Sequence, residues 1–83
     1  AVEDVYRWRR ELRTEIARRK RWRALCRQAA RWGITHLATE TGAPWIALSW
    51  ISEPTLCQEY IENLETLIEN ARTEADRRRE AAG

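Results

Sequence analysis

The sequence predicts an all-α protein: a long N-terminal helix, two short helices and a long C-terminal helix. Three observations point there. Apolar residues recur at spacings of three and four through both ends of the chain. Gly33, Gly42, Pro44 and Pro54 fall between the periodic segments, where chain breaks belong. No strand-length window alternates Val, Ile or Thr with polar residues, so no sheet is expected. At 83 residues the chain is long enough for one modest core, which makes residues 1–83 a single helical domain.

The first helix is expected over residues 2–31, where Val5, Trp8, Leu12, Ile16, Trp22, Cys26 and Ala29 form an apolar stripe. Glu3 and Asp4 suit the positive end of its dipole, and Gly33 ends it just past the last periodic residue. The stripe is interrupted from Arg18 to Arg21, which leaves either one helix with an exposed mid-section or two helices. Thr35 is placed to cap a short helix over His36–Thr41. Gly42 supplies a positive φ for a tight turn, and Pro44 pushes Ala43 out of the α region while opening a helix over 44–51. Ser52, Glu53 and Pro54 repeat the stop and restart. The last helix then covers 54–80, with Leu56, Tyr60, Leu64, Leu67, Ala71 and Ala75 on one face and Ile61 and Ile68 beside it.

The net charge of +2 conceals an asymmetry. Residues 1–33 carry eleven Lys/Arg against four acids, residues 34–52 carry only Glu40, and residues 53–83 carry four Arg against eight acids. A basic first third suits a polyanion, but an acidic last third packed beside it would neutralise it. No apolar run approaches the length of a bilayer span, and the start "AVEDVYRWRR" lacks the order of a secretion signal. The expectation is a cytoplasmic protein without a membrane partner. Cys26 and Cys57 lie on apolar stripes and read as packing residues, a bridge between them being left open.

Residues 34–52 resemble the helix-turn-helix of phage repressors and small prokaryotic transcription regulators. The resemblance rests on Leu37 and Ala38 in the first short helix, Gly42 in the turn, and Leu48 and Ile51 in the second. In that family Ala38 would be small because the second helix crosses it, and Leu48 and Ile51 would plug that helix into the core. The resemblance implies binding to double-stranded DNA, with Trp45, Ile46 and Ser49 facing the groove. Thr35 and His36 would meet phosphate at a helix N-terminus, and Arg23, Arg27 and Arg31, at i, i+4 and i+8, would track the backbone. That arginine stripe reads equally as a solvated face or as a partner for the acids of the last helix.

Trp45 and Trp50 depart from the side chains that base readers place on such a helix. Their apolar face, with Ile46, supports an alternative: a protein-interaction module such as an inhibitor, adaptor or antirepressor. It would also be covered if another helix of the same chain or of a second copy packed over it. The last helix carries Tyr60, Leu64, Leu67, Ile68 and Ala71 near a heptad spacing, and these residues are expected to form a homodimer interface or to pack against the first helix. His36 is the only histidine and has no nucleophile nearby, no cluster of metal-ligand spacing occurs, and no glycine loop for phosphate is present. The chain reads as a non-enzyme with no metal and no cofactor. The sequence therefore predicts a small dimeric DNA-binding regulator.

Overall fold

The computed structural model describes all 83 residues. Helix α1 covers Val2–Arg31 without a break, and helix α2 covers Gln58–Ala82. Between them lies a two-stranded antiparallel sheet of β1 (His36–Ala38) and β2 (Pro44–Ala47), followed by 3-10 turns at Leu48–Trp50 and Glu53–Thr55. The central helix-turn-helix is therefore not formed. The segment expected as a helix over 36–41 is strand and loop, and the one expected over 44–51 is strand and 3-10 turn. The last helix begins at Gln58 rather than Pro54.

Each boundary has a local cause. α1 contains no Gly or Pro and ends in a Schellman arrangement: Gly33 takes φ +70°, its N–H donates to the Ala30 carbonyl (3.4 Å), and Ile34 N–H donates to the Ala29 carbonyl (2.9 Å). Gly42, at φ +87°, occupies the left-handed position that closes a three-residue hairpin loop, Glu40–Gly42. Gly42 N–H donates to the Thr39 carbonyl and Thr39 N–H to the Ala43 carbonyl, both at 2.9 Å. The ladder pairs His36 with Ala47 and Ala38 with Pro44, and the register slips by one residue between them. Pro44, which lacks an N–H, is accommodated because this short sheet has only the one pairing. Ser52 and Thr55 tie their own turn, with hydroxyls 2.9 Å apart and the Thr55 hydroxyl donating to the Ser52 carbonyl (3.0 Å). Pro54 thus sits in the first positions of that turn, and α2 waits until Leu56 has entered the core.

The two helices run in the same direction. Arg21 meets Glu65 at 3.5 Å and Gln28 meets Arg72 at 3.5 Å, and both pairs are separated by 44 residues. The connection must therefore carry the chain back along α1, which is the course that the hairpin and the turns take. The core lies where α1, β1 and α2 meet and holds Trp22, Leu25, Ala29, Leu37, Leu56, Ile61, Leu64 and Ile68. Cys26, Ile34, Leu48, Ile51 and Tyr60 pack around it.

Asn63 couples α2 to the sheet. Its Oδ1 accepts from Ala38 N–H (3.2 Å) and its Nδ2 donates to the Ala38 carbonyl (2.8 Å), so one amide stands in for a missing neighbouring strand. Asn63→Ala leaves both backbone groups without partners in a half-buried place. A loss of about 1–3 kcal/mol is expected in urea denaturation, with faster amide exchange at Ala38.

Candidate interaction surface

The residues expected to touch DNA do not form a reading head. His36 lies in a strand, so no helix N-terminus directs N–H groups at a phosphate there, and the Thr35 hydroxyl is 2.9 Å from its Nδ1. Trp45 stacks edge-on against Tyr60, with ring centroids 5.6 Å apart, and Ile46 is half-buried. Ser49 is exposed, and Trp50 stands 82% exposed on the 3-10 turn. Leu48 N–H donates to the Thr35 carbonyl (2.9 Å), which brings Thr35, His36, Ser49 and Trp50 to the open end of the hairpin. Arg23 is drawn off by Glu53 (3.4 Å) and by the Arg19 carbonyl (3.3 Å), whereas Arg27 and Arg31 are exposed and make no ion pair.

The apolar stripe assigned to a homodimer is used inside the chain. Leu64 and Ile68 are core residues, Tyr60 supports Trp45, and Leu67 and Ala71 are half-buried. Leu67 lines a shallow groove with Ala38, Thr39 and Asn63 on the hairpin side. Cys26 and Cys57 are free thiols, not a bridge. Burial pushes the Cys26 thiol above its ordinary range, because the charged thiolate would lose hydration. The folded state thus holds that proton more firmly than the unfolded chain. The resulting stability is full below the ordinary thiol pKa and is lost as pH rises through the raised one. Alkylation of Cys26 at about pH 8.5 should accordingly be several-fold slower in the native protein than in urea, as read by mass spectrometry of the Cys26 peptide.

What remains without a partner is the first half of α1. Residues 1–17 are all exposed, and burial begins at Arg18. Yet this arm carries Val5, Trp8, Leu12 and Ile16 at spacings of three and four, with Trp8 61% exposed. At 100° per residue the stripe is turned roughly 110° around α1 from the face of Trp22, Leu25 and Ala29 that meets α2. The arm of 16 residues is about 24 Å long, and it makes the molecule elongated at 62 × 26 × 21 Å. Sequence periodicity found these residues and assigned them to the same buried stripe as Trp22. The signal for a separate face was the break at Arg18–Arg21, across which the apolar direction changes.

The arm's charges are ordered around the stripe. Asp4, Glu11 and Glu15 lie along one edge, and Arg9 and Arg13 along the other, a line that Lys20 continues beyond the arm. Of the eleven Lys and Arg of α1, only Arg21 and Arg23 make ion pairs. No group of three or more His, Cys, Asp or Glu side chains is placed to hold a metal ion, and no helix is long and apolar enough to cross a membrane. Comparison with protein-family models, curated proteins and solved structures found no significant match.

Proposed function

We propose that the chain is a protein-interaction module in which the α1–hairpin–α2 body anchors a projecting helical arm, residues 2–17, and the arm binds a partner helix through Val5, Trp8, Leu12 and Ile16. The observation that carries this reading is that an amphipathic helix half stands clear of its own fold. An isolated helix of this length is marginal in water, because its stability comes from packing its apolar face. This arm gains continuity from the packed half of α1 but buries nothing, and it leaves on the order of a few hundred Å² of contiguous apolar surface in water. Patches of that size mark interaction sites. A flat aromatic flanked by aliphatic residues at helical spacing is the pattern of a helix-in-groove or helix-on-helix contact.

The test uses the full chain as bait in native extract, compared with the double variant Trp8→Asp/Leu12→Asp. Both residues lie outside the core, so the variant should keep its far-ultraviolet circular dichroism and its unfolding midpoint. Proteins retained by the wild type should be lost from the variant. An identical retained set from both baits would overturn the reading.

A second reading, contact with a nucleic-acid backbone, draws on the nine α1 cations that make no ion pair. It uses no recognition helix and assigns no base contacts to Trp45, Ile46 or Ser49. It requires duplex binding whose log affinity falls with log salt at a slope of roughly −0.9 per phosphate neutralised. Arg27→Ala and Arg31→Ala should then weaken binding to all sequences alike, and a salt-independent affinity would remove this reading.

A further inference from the structure

We infer that the side of α1 turned away from α2 is a track for single-stranded nucleic acid. The inference rests on the second reading above, contact with a nucleic-acid backbone, and specifies the strand and the residues. At 100° per residue, Arg9, Arg13, Lys20, Arg27 and Arg31 fall within about 40° of arc. That line is roughly 180° around α1 from Trp22, Leu25 and Ala29, so α2 and its acids lie on the far side of the helix. All five cations are exposed, and none makes an ion pair. The acids of α1, Glu3, Asp4, Glu11 and Glu15, all stand roughly 100° or more from the line. Arg9 with Arg13, and Arg27 with Arg31, are like charges at i, i+4, which repel. A polyanion laid along the line relieves a repulsion that no acid of the fold offsets.

Shape selects the single strand. The line runs straight for about 33 Å, from Arg9 to Arg31, along a convex helix. A duplex is stiff on that scale and its phosphates wind around it, so its backbone crosses such a line rather than following it. A flexible single strand can lie along all five cations and turn its bases to either side. Aromatic rings stand beside the track. Tyr6, 59% exposed, is about 40° from the line and one turn before Arg9. Trp50, 82% exposed, precedes by three residues Glu53, whose partner Arg23 is one helical turn from Arg27. Exposed rings beside a cationic track are what unpaired bases stack on. Beyond Ile16 the line carries no large apolar side chain, which an amphipathic helix lying on lipid requires. The centre of the Val5, Trp8, Leu12 and Ile16 stripe is roughly 75° around from the line, so strand and partner helix do not compete.

The test is fluorescence anisotropy of a labelled oligothymidylate of about 20 nucleotides, titrated with the purified full chain at several salt concentrations. The strand should bind with a log–log salt slope of about −3.5, or about −0.7 for each of five phosphates. The duplex formed with its complement should bind roughly tenfold more weakly. Arg13→Ala/Lys20→Ala/Arg27→Ala should reduce the slope to about −1.4 and the affinity by at least roughly tenfold. Arg77→Ala/Arg78→Ala/Arg79→Ala, an equal loss of charge at the exposed end of α2, should leave both nearly unchanged. Tyr6→Ala and Trp50→Ala should each weaken the single strand roughly tenfold and spare the duplex. An equal response to the two triple variants overturns the track, as does binding of phosphatidylserine vesicles without binding of the strand. A duplex held as tightly as the single strand, with a steep salt dependence, overturns the single-strand assignment and leaves contact with a nucleic-acid backbone standing. If neither nucleic acid binds, both fail.

Discussion

Trp22→Ala is expected to remove about 3–5 kcal/mol of folding stability, the usual result of emptying an aromatic site in a packed core. A domain of this size holds only roughly 4–12 kcal/mol in total, so the variant should melt on the order of 20 °C lower or fail to fold at growth temperature. Trp22 is 4% exposed and is the one buried tryptophan among five, so its loss should also delete the blue-shifted part of the fluorescence emission. Trp8→Ala, two heptads earlier on the same helix, is the control. Trp8 touches no core residue, and its removal should change the unfolding midpoint of the monomer by no more than about 0.5 kcal/mol while weakening association through the arm. Equal destabilisation by both substitutions would show that the arm is packed in solution and would sink the functional reading.

Leu37→Ala should cost about 2–5 kcal/mol, because Leu37 is fully buried and lies in a strand of only three residues. Nothing else in β1 is buried, so the hairpin has no second anchor of that kind. The Asn63 amide holds Ala38 only while Leu37 keeps β1 against α2. Exchange of the Ala38 and Thr39 amides should therefore accelerate more than exchange within α2. Uniform acceleration across the chain would instead show that hairpin and helices unfold as a single unit.

The outer helices were legible because their cause is local and repeated. Thirty residues without Gly or Pro, with apolar residues at helical spacing and acids in the first turn, specify α1, and Gly33 marks its end. The core was legible as composition too: Trp22, Leu64 and Ile68 are apolar at the right spacing whether they meet their own chain or another. The middle was misread for an equally physical reason. Gly42 with positive φ serves the corner of a helix-turn-helix and the loop of a hairpin alike, and Pro44 fits a first helical turn or a short strand. Runs as short as His36–Ala38 and Pro44–Ala47 are too brief for periodicity to separate the two. Thr39, Thr41, Trp45 and Ile46, β-branched and aromatic around a glycine loop, were the available hint for strands.

By itself the sequence determined two long helices, their approximate ends, the turn at Gly42 and the uneven distribution of charge. Each of these follows from the conformational preferences of neighbouring residues. The tertiary structure alone decided that residues 36–47 pair as strands, since the amide that completes the edge of β1 arrives from Asn63, 25 residues along the chain. It also decided which half of the α1 stripe is covered. Leu64 and Ile68 of α2 reach Trp22 and Leu25, but α2 starts too late in the chain to lie beside Val5, Trp8 and Leu12. Periodicity records that a face is apolar; only the path of the rest of the chain determines whether that face is filled from within or left for a partner.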